Sequence, residues 1–287
     1  MTAILKHELR SYFHSFTAYF FGAFLLMITG IGSMIYNINA AVSNFEYVLG
    51  FGCIVLVLIV PILTMRTIAE EKKQKTDQLL YALPVSTTDV IVGKYLALLV
   101  VFFIPLLIVG IYPLIFSQYG DVYLPTSYGS LFAFFMMGAA LIAVGMFISS
   151  LTENQGFAAG VGVAVVLFNY YSVTIAEYVS STALGSAIVL CVCAALFAFL
   201  INHLTKNENL AYGIGLALLA VITATYLYDD TLYEGLVPKI MTQLSLFERF
   251  YVFVDGLFDI TAIVYFITVI IFFLFLSVQS LEKRRYN

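Results

Sequence analysis

Charged residues are scarce in this sequence. Asp, Glu, Lys and Arg make up 10 % of its 287 residues, whereas 62 % are hydrophobic. Soluble domains carry about 25 % charged residues, so the composition excludes an ordinary soluble protein. A mean hydropathy of +1.00 and the long apolar runs predict an all-α polytopic membrane protein, with residues 1–287 forming one transmembrane domain.

The residues of several familiar sites are also missing. The three cysteines lie within apolar runs, and their odd number gives no disulfide framework. His7 and His14 share a helix face but lack partners to complete a metal site. Gly93 and Lys94 lack the first glycine of a phosphate-binding P-loop. We therefore expect no catalytic site, no metal and no cofactor in this chain.

Ionisable side chains are nearly absent from the middles of the apolar runs. Ion-coupled carriers place Asp, Glu, His or Arg there, at about 2.5–3.5 kcal/mol each on insertion scales. Glu177 comes closest, at a helix end. This absence disfavours a passive channel or a secondary carrier, and it favours a transporter that draws its energy from a partner.

Eight apolar runs are long enough to cross a bilayer. The predicted spans cover residues 16–38, 47–66, 94–116, 128–151, 156–176, 183–202, 210–228 and 259–280. A six-span alternative keeps both termini on one side but leaves residues 183–228 unexplained.

Lys and Arg are divided unequally between the two sides of these spans. Two of the thirteen, Lys239 and Arg249, lie on one side. The other side carries Lys6, Arg10, Arg66, Lys72, Lys73, Lys75, Lys94, Lys206, Lys283, Arg284 and Arg285. The positive-inside rule then predicts a protein of the cell (cytoplasmic) membrane with both termini in the cytoplasm.

The longest charged segment covers residues 66–94, between the second and third predicted spans. A short helix is predicted there, with an apolar stripe on one face and Glu70, Glu71, Lys72, Lys73 and Lys75 on its other faces. Its apolar stripe follows helical spacing through Thr76, Leu79, Leu80 and Leu83. Such a stripe on a cytoplasmic helix requires the lipid surface or a protein partner.

Stop and start signals follow this helix. Pro84 ends it, because proline cannot donate to the helical hydrogen bonds. Ser86 with Asp89 forms the pattern of a capping box, which predicts the start of the next helix.

Two further segments have amphipathic patterns. Residues 1–15 are basic and amphipathic, which predicts a helix in the membrane interface. Residues 229–258 form the longest outer loop, and their apolar spacing of three and four predicts an interfacial helix before the last span.

The fifth predicted span contains the most polar patch of any span. Its candidates for lining a pathway are Asn169, Tyr170 and Tyr171, with hydrogen bonding between helices as the alternative. The start of this span carries Gly156, Gly160 and Gly162, a small-residue face that serves either close packing or no special role.

Two separated runs carry a family resemblance. Residues 61–97, PILTMRTIAEEKKQKTDQLLYALPVSTTDVIVGKYLA, resemble the segment between the second and third spans of permease subunits in type-2 ATP-binding-cassette (ABC) exporters. Residues 244–285 resemble the end of the same family, and the gliding-motility type of permease is the most similar. Two features depart from the family, which typically has six spans and often carries Gly at the position of Lys75.

The resemblance implies roles for particular segments. Residues 1–15 are similar to an elbow helix, and residues 66–94 to the coupling helix that docks on a separate ATPase. The coupling residues would be Glu70, Glu71, Lys72, Lys73, Thr76, Gln78, Leu79, Leu80 and Leu83. ATP and Mg²⁺ would bind in that ATPase. A second permease protomer, identical or different, would complete a path lined by the second and fifth spans.

Two functions of different classes follow from these observations. The first is the membrane permease of an ATP-driven exporter, which is not itself an enzyme and binds no nucleic acid. The second is a membrane scaffold or sensor that moves nothing and docks a cytoplasmic partner through residues 66–94.

Overall fold

The described part of the chain is helical. The computed structural model describes residues 2–76, 86–205 and 208–286, and within those ranges it contains no β-strand. Helices satisfy their backbone hydrogen bonds internally, as a segment in lipid must. An all-α polytopic membrane protein is therefore confirmed.

The described ranges contain thirteen α-helices, a π-helical segment and a 3₁₀ turn. Their bounds are α1 Thr2–His14, α2 Phe16–Ser33, a π-helical segment Met34–Asn39, α3 Glu46–Thr64, α4 Ala69–Gln74, α5 Thr87–Val109, α6 Tyr112–Phe116, α7 Leu124–Leu151, α8 Gln155–Tyr178, α9 Ala183–Thr205, α10 Glu208–Tyr228, a 3₁₀ turn Asp230–Tyr233, α11 Leu236–Leu244, α12 Leu246–Val254 and α13 Ile260–Tyr286.

Six helices in the described residues are long and apolar enough to cross a membrane. They are Phe16–Asn39, Glu46–Gln74, Thr87–Phe116, Leu124–Leu151, Gln155–Tyr178 and Ile260–Lys283. A seventh is obtained if the bent pair Tyr212–Tyr228 and Asp230–Leu244 counts as one span. Residues 183–205 and 208–228 form the helices α9 and α10, but the count of eight spans stays a prediction.

The chain divides into two compact units. The first comprises Met1–Tyr170 with Arg249–Asn287, and the second Tyr171–Glu248. In the second unit, α9 packs against α10. The hydroxyl of Tyr233 donates to the carbonyl of Ile222 at 3.1 Å, which ties the 3₁₀ turn to α10.

Helix α7 is central to the first unit, packing against α3, α5 and α13. Two glycines allow this close approach. A Cβ at Gly138 would collide with the ring of Phe102, and a Cβ at Gly145 would lie 2.9 Å from the Cβ of Thr64. Phe134, also on α7, is fully buried and meets the ring of Phe250 edge-on at 5.7 Å.

Hydrogen bonds show which helix ends of the first unit lie together. Thr87 donates to the Glu282 carboxylate at 2.8 Å, and Ser280 donates to the Ser150 carbonyl at 3.0 Å. The start of α5 and the ends of α7 and α13 therefore meet at one end, which also carries α1 and α4 and is called the α1 end below. The N-terminal and C-terminal helices thus share this end.

Local signals near α4 and α5 differ in how well they predicted the structure. Ser86 accepts from the Asp89 N–H at 3.1 Å, so the predicted cap is confirmed and α5 begins at Thr87. The predicted helix through Thr76 is wrong at its centre, because α4 ends at Gln74. Lys75 adopts a left-handed conformation with φ +58°, which stops a helix.

The segment 229–258 contains several short elements rather than one helix. A 3₁₀ turn, α11 and α12 divide it, with a break at Ser245. Within the first unit, Phe250 and Phe253 of α12 are buried, and the Phe253 carbonyl accepts from Ser130 on α7 at 2.9 Å. This part of α12 therefore packs against a spanning helix.

Candidate functional site

Three of the four charged side chains of α4, those of Glu70, Glu71 and Lys72, turn toward the protein. Arg66, which precedes α4, donates to both carboxylate oxygens of Glu70 at 2.8 and 3.2 Å. Its Nη1 also donates to Thr17 at the start of α2, at 3.1 Å. A bidentate arginine–carboxylate pair restricts both side chains, so α4 is held against α2.

Lys94 forms the centre of a buried ionic triad. Its side chain is 2 % exposed, and its Nζ lies 2.7 Å from Glu8 Oε1 and 2.6 Å from Glu71 Oε1. These carboxylates come from α1 and α4, while Lys94 comes from α5. Buried charges are costly unless they are paired, so the triad joins three segments that are far apart in sequence.

Two serines at the end of α7 hold the start of α4. The Ser149 hydroxyl accepts from the N–H groups of Ile68 and Ala69 at 3.2 and 3.1 Å and donates to the Met65 carbonyl at 3.1 Å. The ammonium of Lys72 donates to the Ser150 carbonyl. Because α4 has no capping side chain of its own, the cap that its first N–H groups require comes from α7.

The residues assigned to coupling therefore occupy different environments. Lys72 is buried, Glu70, Glu71 and Thr76 are half-buried, and Lys73 is exposed. Gln78, Leu79, Leu80 and Leu83 lie outside the described residues. Of the coupling residues in the described part, Lys73 is the one that presents its side chain outward.

A polar cavity of about 480 Å³ lies beside the triad. Its walls come from α1, the start of α2, the α3–α4 connection, α4 and Lys94. Tyr12 on α1 lines it, with its hydroxyl 3.4 Å from that of Thr67. Burial raises the pKa of Tyr12 to about 12, so this phenol remains neutral at physiological pH.

The pathway candidates lie in the second half of α8. Asn169 and Tyr170 are half-buried, whereas Tyr171 is 43 % exposed. Of the three glycines at the start of this helix, Gly162 packs against Pro61 on α3, where an added Cβ would lie 3.0 Å from the Pro61 Cβ. A Cβ at Gly160 would meet nothing within 4 Å.

No metal centre occurs in the described ranges. No group of three or more His, Cys, Asp or Glu residues there is arranged to hold an ion. His7 lines the polar cavity, and His14 Nδ1 lies 2.8 Å from the Arg10 carbonyl oxygen.

Sequence reasoning missed Glu8, Lys94 and Ser149 as a connected site. The sequence does carry a signal for two of these three residues. Glu8 is the one acidic residue before Glu46, and Lys94 lies at the edge of a long apolar run, where a charge needs a partner. Nothing in the sequence distinguishes Ser149 from other small polar residues in the spans.

Comparison with known proteins gives one match. The family model described as ABC-2 family transporter protein matches residues 32–176. This range covers just over half of the 287 residues and includes α3, α4, α5, α7 and nearly all of α8. No curated protein and no solved structure is similar enough to count as a match.

Proposed function

The chain belongs to the ABC-2 family of transporter proteins, and we propose that it acts as the permease of an exporter driven by ATP hydrolysis in a separate subunit. Members of this family are membrane subunits without catalytic activity of their own, and they associate with an ABC ATPase. The chain is thus a multi-pass permease subunit of an ABC transporter. In our proposal, ATP and Mg²⁺ bind in the ATPase.

The anchoring of α4 is the observation that carries the coupling proposal. Glu71 joins α4 to α5 and α1 through Lys94, and Ser149 and the Ser150 carbonyl join it to α7. Closely packed segments move together rather than deform. A force applied to α4 is therefore expected to displace the ends of several spanning helices at once.

Different residues have different tasks in this proposal. Glu70, Glu71 and Lys72 position α4, because their side chains contact other parts of this chain. The exposed Lys73 contacts the ATPase. We assign the remaining docking contacts to Thr76, Gln78, Leu79, Leu80 and Leu83.

We further propose a pathway between two permease protomers, identical or different. Asn169, Tyr170 and Tyr171 line it, as polar groups in a membrane helix favour a cavity over lipid. The termini lie in the cytoplasm, in keeping with the surplus of Lys and Arg on their side. Among ABC-2 permeases, the similarity of residues 244–285 supports the gliding-motility type.

Affinity purification of the tagged full chain from its native membranes in mild detergent tests the ATPase partner. Mass spectrometry should find an ATPase subunit at equal stoichiometry, and any second permease chain will show whether the dimer is mixed. If the chain purifies alone, or with a kinase or peptidase, the proposal fails and a scaffold or sensor that moves nothing takes its place.

The docking residues are tested by charge reversal. Lys73→Glu should reduce the recovered ATPase without changing the thermal stability of the permease, because Lys73 has no partner within the described residues. Lys239→Glu, an equally exposed lysine on α11, is the matched control. Leu79→Asp and Leu83→Asp should act in the same way as Lys73→Glu, and unchanged ATPase recovery in all three variants would contradict the assignment.

A further inference from the structure

The polar cavity at the α1 end has an unequal set of charges. The carboxylates of Glu8, Glu70 and Glu71 and the cations of Arg66 and Lys94 line it, which leaves one negative charge in excess when His7 is neutral. The surplus disfavours a simple anion and favours a ligand that brings a positive charge.

Arg66 has hydrogen-bonding capacity left over. Its guanidinium carries five N–H groups, of which one each on Nε and Nη2 donates to Glu70 and one on Nη1 donates to Thr17. The two others have no partner within residues 2–76, 86–205 and 208–286. The side chain is 40 % exposed, and a guanidinium with two available donors suits a phosphate group.

Glu8 provides a complementary acceptor. Its Oε1 accepts from Lys94, whereas its Oε2 has no hydrogen-bond partner in the part of the chain that the structure describes. The side chain is 13 % exposed and lines the cavity. Hydroxyl groups of Ser11 and Ser15 line the same space. A primary ammonium would satisfy the remaining carboxylate oxygen.

The cavity also lies close to exposed aromatic side chains at the start of α2. Phe16, between the lining residues Ser15 and Thr17, is 78 % exposed, and Tyr19 one turn later is 60 % exposed. Tyrosine rings at the ends of spanning helices are enriched at the level of the lipid head groups. A head group that enters the cavity would leave its acyl chains beside these rings.

We propose that this cavity binds the ethanolamine phosphate head group of a phospholipid. Arg66 holds the phosphate, and Glu8 accepts a hydrogen bond from the primary ammonium. The same chemistry occurs in free phosphoethanolamine, and the exposed aromatic surface beside the cavity favours the lipid. The inference does not rest on transport, because lipid binding is measured on the permease chain alone.

Native mass spectrometry of the purified full chain tests lipid selectivity. Dioctanoyl phosphatidylethanolamine, phosphatidylcholine and phosphatidylglycerol are added separately at equal concentrations. Phosphatidylethanolamine should bind about tenfold more tightly than either of the others, since they lack the charge-assisted hydrogen bond of its ammonium. Equal binding of the three lipids would overturn the proposal.

Variants locate the site. Arg66→Gln and Glu8→Gln should each weaken phosphatidylethanolamine binding about tenfold, whereas the charge-matched controls Lys239→Gln and Glu234→Gln should not. Ser11→Trp fills the cavity without a change in charge and should abolish the preference for phosphatidylethanolamine over the other two lipids. The test therefore stands even if a charge variant fails to fold. Unchanged selectivity in Ser11→Trp would contradict this location.

Soluble phosphoethanolamine distinguishes the two sources of the ligand. If the ligand is a lipid, dioctanoyl phosphatidylethanolamine should bind at least about tenfold more tightly than phosphoethanolamine, because the aromatic surface contacts its acyl chains. Equal affinities would overturn the lipid assignment and identify a soluble ligand.

Discussion

Replacing Lys94 with Met should destabilise the α1 end of the bundle. The two carboxylate oxygens that Lys94 bridges, at 2.7 and 2.6 Å, are at most about 5 Å apart, and their repulsion without the lysine is about 3 kcal/mol at an effective dielectric constant of 20. Breaking a buried ion pair generally costs about 3–5 kcal/mol. Glu8 and Glu71 are partly exposed, at 13 % and 26 %, so we expect the lower end, about 3 kcal/mol.

The loss is measured as the free energy of unfolding of the full chain in detergent, by SDS titration followed by far-UV circular dichroism. A triple variant, Glu8→Gln with Lys94→Met and Glu71→Gln, removes all three charges and is the control. It should recover most of the stability, since uncharged replacements of buried ion pairs are often nearly neutral. A loss below about 1 kcal/mol for Lys94→Met, or a triple variant as unstable as the single one, would refute the reasoning.

Three further substitutions test the packing and the helix ends by the same titration. Gly145→Ala should cost about 1–3 kcal/mol, because its Cβ collides with Thr64, while Gly160→Ala, with open space, should cost less than about 0.5 kcal/mol. Lys75→Gly should stabilise by about 1 kcal/mol by relieving a left-handed conformation. Asp259→Ala should lower the free energy of unfolding by removing the cap of α13, and Asp259→Asn should largely retain the cap. Hydrogen bonds from Thr261 lower the pKa of Asp259 below its ordinary 3.8, so the stabilisation by its ionised form is complete at neutral pH and disappears as the pH falls through that lowered pKa.

Hydropathy predicted the spanning helices well, because a bilayer requires long apolar segments regardless of their packing partners. The Ser86–Asp89 pattern predicted the start of α5 at Thr87, whereas hydropathy placed the start of the third span at residue 94, inside that helix. The hydropathy boundary fell there because of one charged residue. Lys94 looks like the polar edge of a span, yet it is buried within the helix by two carboxylates.

The contacts of the candidate site were beyond sequence reasoning. Glu8 and Glu71 are 86 and 23 residues from Lys94 along the chain, and no local pattern specifies such pairings. Amphipathic spacing likewise shows that a helix face is apolar without showing what covers it. For Phe250 of α12 the cover includes α7 rather than the outer leaflet alone.

The end of α4 illustrates a conflict between two local signals. The leucine stripe beyond Thr76 favours a continuous helix, but Lys75 takes a conformation that suits glycine. The permeases that this chain resembles often carry Gly at this position, and glycine suits such a break. Side-chain spacing did not predict the break, because a single residue with positive φ leaves no trace in hydrophobic periodicity.

Because Ser149 caps α4, the segment that leads into α4 and the end of α7 cannot change in length independently. One inserted residue between Met65 and Ala69 would shift the start of α4 by about 1.5 Å and rotate it by roughly 100°, away from the Ser149 hydroxyl. A compensating change would be needed at the end of α7, more than 75 residues later. Insertions and deletions in these two segments are therefore expected to occur together among homologues. The described connection at residues 117–123, before α7, has no such bond to α4 and is free to vary in length by itself.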